Sequence, residues 1–221
     1  MKRIYILLIL LIFTLTLYSC TDTPDNDDTD ITDDDQTIEE DPTLKELPYY
    51  AYLSNDNPVV TISVKDYGDM KLQLFIDVAP NTVNNFINYI EDKAYKNSEF
   101  HRIIEDFMIQ GGIVSNNSCP IKGDFSSNGI SNNLSHNRGV ISMARTNVKD
   151  SATSQFFIVH NNSDFLDGNY ASFGGLISGF EILDELAVVS TDVRDAPIRD
   201  IVISKITVDL RGYKISKALC A

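Results

Sequence analysis

Phe100-His101-Arg102-Ile103-Ile104-Glu105-Asp106-Phe107-Met108-Ile109-Gln110-Gly111-Gly112 is the stretch on which the reading of this 221-residue chain turns. A guanidinium, charged at any working pH and offering several N–H groups in a fixed fork, stands among Phe, Ile, Met and Gln. A glycine pair closes the run. The pattern predicts two short strands, 100–104 and 107–111, with a turn between them. Successive strand side chains face opposite ways, so Met108 and Gln110 share a face. The same rule turns His101 away from Arg102.

Working outward, more short elements appear on both sides. Val59–Val64 and Met70–Leu74 flank a turn at 65–69 and read as a hairpin with one buried face. Val83, Phe86, Ile87 and Ile90 recur at helical spacing after Pro80, which predicts a one-sided helix. Further strands are expected at 139–144, 154–158, 171–177 and 201–208, with a second helix at 181–186. In Gln155-Phe156-Phe157, alternation sends Phe156 into a core and leaves Gln155 and Phe157 on the other face. Many short strands and two helices point to a mainly β fold, a closed barrel capped at its ends. About 150 residues suffice to bury a sizeable core.

Four further blocks carry a more specific signal: Ile141-Ser142-Met143-Ala144-Arg145-Thr146, Ser151-Ala152-Thr153-Ser154-Gln155-Phe156-Phe157-Ile158, Asp164-Phe165-Leu166-Asp167-Gly168 and Tyr170-Ala171-Ser172-Phe173-Gly174. With 100–112, and in this order, they resemble the cyclophilins, a family of peptidyl-prolyl cis/trans isomerases, over residues 57–210. The resemblance implies an eight-stranded antiparallel barrel with a helix over each opening. It implies rotation about X–Pro bonds in proline-containing peptides and in unfolded or partly folded proteins. No metal or other cofactor is expected, and a monomer is.

Arg102 matches the family's catalytic arginine, and Gln110 stands with it as the second catalytic candidate. Phe107, Met108, Phe157 and Leu166 match the proline pocket. Ala144 and Arg145 match the pair that runs antiparallel to the bound peptide; many relatives carry Asn where Arg145 stands. Gln155 joins Gln110 as a polar fringe expected to bind substrate backbone and orient Arg102. Phe165 stands where some relatives have Trp, and Tyr170 where some have His; both keep an aromatic body. His101, His136 and His160 are expected to be structural, since no Ser or Cys beside them forms a nucleophile motif. The alternative is a barrel that holds Pro-containing segments without catalysis.

The chain's start reads differently. Lys2 and Arg3 precede an apolar run from Ile4 to Leu17, the length of a secretory signal core and too short to span a bilayer comfortably. It ends in Leu17-Tyr18-Ser19-Cys20, which resembles the lipobox of bacterial lipoproteins. Residues 1–19 are therefore expected to be a signal peptide and Cys20 a lipidation site. The expected location is the cell envelope, membrane-anchored and outside the cytoplasm. From Asp22 to Glu46 twelve Asp/Glu face one Lys, with little to bury, so 20–50 is expected to be a disordered acidic tether. Much of the net charge of −14 sits there, and it argues against nucleic-acid binding. Residues 211–221 are expected to be a C-terminal tail. Export would permit Cys119 and Cys220 to pair; their positions in the sequence leave that open. No ligand spacing for a metal appears.

Overall fold

In the computed structural model, residues 42–115 and 118–221 are described. The expected signal peptide, the expected lipidation at Cys20 and the tether through residue 41 lie outside the described residues. The strands are β1 (Val59–Val64), β2 (Gly68–Leu74), β3 (Ser98–Ile104), β4 (Met108–Gly111), β5 (Val140–Met143), β6 (Phe156–Val159), β7 (Ser172–Ser178) and β8 (Val202–Asp209). Two helices, α1 (Pro80–Glu91) and α2 (Phe180–Ala187), complete the fold. The strands close into a barrel in the order β1-β2-β7-β5-β6-β4-β3-β8, every pairing antiparallel. The expected elements are all present, with ends within two residues of those read from the sequence.

Alternation builds the barrel. Val60, Ile62 and Val64 of β1 and Met70, Leu72 and Leu74 of β2 turn inward and are buried. They meet Ile109, Ile141, Phe156 and Ile158 in one apolar core. On α1, Val83, Phe86, Ile87 and Ile90 face the same core. Phe86 sits 5.2–5.3 Å, ring centre to ring centre, from Tyr95, Phe156 and Phe173. Pro80 suits the first turn, where its missing N–H costs nothing. The Asp124 carboxylate supplies the helix cap from a distant loop, accepting from the Thr82 N–H and hydroxyl at 2.9 Å each. On α2, Ile182, Leu183 and Leu186 are the buried face.

A second, smaller cluster lies on the alternate side chains of the same strands: Met108, Phe157, Val159 and Val140, with Leu134, Leu166, Phe75 and Tyr49. The strand register that fills the barrel with Phe156 and Ile109 thus sends Phe157 and Met108 to its outer face.

Two boundaries differ from expectation. The tether was expected to reach residue 50, yet Leu44 is buried and Tyr49 is wholly buried, its hydroxyl donating to the Leu176 carbonyl at 2.7 Å. Its ring fills a slot over Gly175, where a Cβ would stand 2.4 Å from the ring. The folded part therefore starts before residue 57. The 211–221 tail is a strap docked on α1. Asn84 Oδ1 accepts the Ser216 N–H and Asn81 Oδ1 the Leu219 N–H, each at 2.7 Å. A Cys119–Cys220 disulfide pins its end across a separation of 101 residues.

Candidate active site

The site is built on the outer face of β3, β4, β5 and β6. The β3–β4 hairpin turns at Asp106, in the left-handed region at φ 58°, and pairs Ile104 with Met108 and Arg102 with Gln110. β4 then pairs Gln110 with Phe157 and Met108 with Val159. The glycines after the hairpin have a reason: Gly112 lies at φ 85°, and a Cβ there would meet the Phe156 ring and the Ser154 carbonyl at 2.9 Å. This close approach returns the chain under the aromatic core.

These pairings gather Arg102, Phe107, Met108, Gln110, Ala144, Arg145, Phe157, Leu166 and Tyr170 around one open pocket of about 140 Å³. Nine of the eleven site residues expected from the sequence line it. Gln155 joins through its partner: Gln110 Nε2 donates to Gln155 Oε1 at 3.0 Å. Phe165 is mostly exposed and stands at the rim, its ring 5.4 Å from that of Phe107.

Expectation and structure part company at two points. The alternation that turns His101 away from Arg102 would also turn it from Gln110, the cross-strand partner of Arg102, yet His101 lies beside Gln110. The ladder slips between Phe100 and Arg102, so two residues of β3 face one of β4. Such a bulge breaks the alternation, and His101 Nε2 lies 3.4 Å from Gln110 Nε2. Burial lowers the His101 pKa, with the Arg102 charge adding to the effect.

The glutamines also do not hold Arg102. Its Nε and one terminal nitrogen both lie 3.2 Å from Asp195 Oδ2, with both side chains about two-fifths exposed. Asp195 was missed in the sequence because it stands in a loop 93 residues away. That loop is tightly made. Asp192 Oδ1 accepts the N–H groups of Arg194 and Ala196 at 2.8 and 3.0 Å, which holds the Asp192 carboxyl below its usual range. Asp195 is left-handed at φ 65°, and its carbonyl accepts the Ile103 N–H at 2.9 Å. The loop is thus stitched to β3 beside the arginine it pairs. An Asp followed by Ala-Pro was the only local signal.

Below the pocket lies an Asp–His–Ser array. His136 Nδ1 is 2.7 Å from Asp167 Oδ1, and Nε2 is 3.0 Å from Ser142 Oγ. Its geometry is that of a nucleophile triad, but Ser142 and His136 are wholly buried, so no substrate reaches the hydroxyl. The imidazole stacks on Phe157 at 6.0 Å and 16°. The array braces the pocket floor. Desolvation lowers the His136 pKa, against the pull of Asp167. His160 bridges Asp184 and the Asp106 backbone N–H at the surface. Among the described residues no cluster of His, Cys, Asp or Glu is placed to hold a metal.

At the far rim, the Arg145 guanidinium covers the Tyr170 ring at 4.5 Å, and Tyr170 stands edge-on to Phe157. The arrangement offers an apolar seat for a small ring, with two guanidiniums and a glutamine amide around it.

Comparison with known proteins agrees with this layout. The family model described as "Cyclophilin type peptidyl-prolyl cis-trans isomerase/CLD" matches residues 59–208. A peptidyl-prolyl cis-trans isomerase of Acinetobacter baylyi is 40% identical over 135 residues, covering 56% of this chain and 69% of the relative. Peptidyl-prolyl cis-trans isomerase B of Escherichia coli is 35% identical over 161 residues, covering 65% and 95%. A crystal structure of a Cryptosporidium parvum cyclophilin-type isomerase superposes with a TM-score of 0.64 at 31% identity, covering 69% of this chain and 98% of that one. The same protein has also been solved in the presence of the dipeptide Ala-Pro. The matched span runs from β1 into β8 and contains every residue of the pocket, and the chain belongs to the cyclophilin-type peptidyl-prolyl cis-trans isomerases.

Proposed function

We propose that this chain speeds rotation about X–Pro bonds in extended segments of exported proteins, working from a lipid anchor at Cys20. The barrier is about 18–20 kcal/mol, and no covalent step is needed to lower it. The amide loses its resonance and the prolyl nitrogen becomes pyramidal as the bond twists. A site must therefore seat the ring and aim a donor at the prolyl group, so that the twisted state is bound best.

Phe107, Met108, Phe157 and Leu166 seat the ring. Arg102 donates to the prolyl group as its nitrogen pyramidalises. Gln110, tied to Gln155, takes the flanking backbone, and the Ala144–Arg145 edge lines the substrate on the other side. The observation that carries the reading is the pairing of Arg102 with Gln110 across β3 and β4 at the mouth of an apolar pocket. The crystal structure of the Cryptosporidium relative in the presence of the dipeptide Ala-Pro supports a proline-containing ligand.

NMR exchange spectroscopy on a short proline peptide tests it. Catalytic amounts of the chain should speed cis/trans exchange without added metal. Shifted peptide resonances with an unchanged exchange rate would instead make it a non-catalytic binding module. The anchor rests on Lys2, Arg3, the apolar run 4–17 and Cys20. Cys20→Ser should abolish lipid labelling and release the protein from membranes. Retention of the unlipidated variant would make the N-terminal run an uncleaved anchor.

A further inference from the structure

Two guanidiniums line the pocket, and they are not equivalent. The charge of Arg102 is met by Asp195. Arg145 has no carboxylate within 4.0 Å among the described residues. We infer that Arg145 makes this isomerase selective for segments carrying an acidic residue within two positions of the proline. This inference rests on the isomerase reading above and names the substrate class of that same pocket.

The guanidinium is held in place before any ligand arrives. Its Nε and one terminal nitrogen donate to the Asn169 carbonyl at 3.0 and 2.7 Å, and the other terminal nitrogen to the Thr146 carbonyl at 2.8 Å. It also lies over two aromatic faces, Tyr170 at 4.5 Å and Phe125 at 5.3 Å. These contacts fix the planar fork and reduce the entropy lost when it takes a ligand. All of its bonding partners are carbonyls and rings, which orient the cation without neutralising it. Three of the five N–H groups are used, so two remain for a carboxylate.

Its position relates it to the proline. Tyr170, the ring under the guanidinium, stands edge-on to Phe157 with centres 6.0 Å apart, and Phe157 lines the proline seat. A side chain one or two residues from the seated ring therefore reaches the cation. Over the whole chain the net charge is −14, a background that disfavours acidic ligands. An unneutralised cation at the rim reverses that sign locally. The pair would be partly exposed, so the effect is modest and sensitive to salt.

Exchange spectroscopy needs no coupled protease, whose own charge preference would confuse the comparison. The full chain in detergent is assayed on tetrapeptides bearing Glu, Gln or Lys at each of the two positions before and after the proline. At one position at least, Glu should exceed Gln about two- to fivefold in kcat/KM, the range of a partly exposed ion pair, and Lys should fall below Gln. The advantage should shrink in 0.5 M salt. Arg145→Gln should bring the Glu/Gln ratio to about one, and Arg145→Lys should keep part of it. A ratio near one in the native protein at all four positions overturns the inference, as does a ratio that survives Arg145→Gln. Turnover of the Gln peptides reports separately on the isomerase reading. If no peptide turns over, the same Glu/Gln ratio is read from Kd by titration, with the same two outcomes.

Discussion

At the scale of single residues, the site depends on how two arginines are held. In the proposed mechanism Arg102 donates only while its fork points at the bound amide, and Asp195 is the carboxylate that pairs with that fork. Asp195→Ala should therefore lower kcat about tenfold or less while KM changes little, because the fork wanders but the apolar seat remains. Asp195→Asn, which can still accept a hydrogen bond, should recover part of the loss. Equal damage from both variants, appearing in KM alone, would show that Asp195 only supports the loop. The sequence made Arg102, Gln110 and the pocket aromatics legible because each sits in an uncommon local block. It could not show Asp195, since nothing local ties a loop aspartate to an arginine 93 residues away. Nor could it show that His101 faces Gln110, because a bulge leaves no mark on apolar alternation.

At the scale of elements, β6 separates stability from binding. Phe156 lies inside the barrel against Phe86, Tyr95 and Phe100, whereas its neighbour Phe157 lines the pocket. Phe156→Ala should destabilise the domain by about 3–5 kcal/mol, as removal of a buried phenylalanine does. Phe157→Ala should mainly raise KM. Urea melts showing the larger loss for Phe157 would mean the register of β6 is wrong. Strands and helices were readable because their apolar residues recur at intervals of two or of three and four. The segment before β1 was not, because acidic composition masked the buried Leu44 and Tyr49. Tyr49 enters a slot made by Gly175, a tertiary feature with no local pattern. Tyr49→Ala should cost about 3 kcal/mol or more, in the range of buried aromatics, and a melt unchanged by it would return the segment to the tether.

At the scale of the whole molecule, one barrel serves two tasks through the two faces of its strands. The inner face stores the stability. The outer face of β3, β4, β5 and β6 displays the pocket on rigid elements, braced from below by the His136–Asp167–Ser142 array. That brace gives the domain a pH dependence. Burial lowers the His136 pKa in the fold, so the unfolded chain, with an ordinary value of about 6.5, takes up the proton first. The folded state is favoured fully above that pH and loses the advantage as pH falls below it. His101 is shifted the same way. Urea midpoints should drop between pH 7.5 and 5.5; a flat profile would mean that folding leaves these histidine pKa values unshifted. The central claim is that this face carries a prearranged donor for the twisting prolyl amide, and Arg102→Ala tests it most directly. Measured by exchange spectroscopy on an uncharged proline peptide, with circular dichroism showing an intact barrel, the variant should lose about 10²–10³ in kcat, the cost of removing one such donor. Near-native exchange in a folded Arg102→Ala protein would contradict the account.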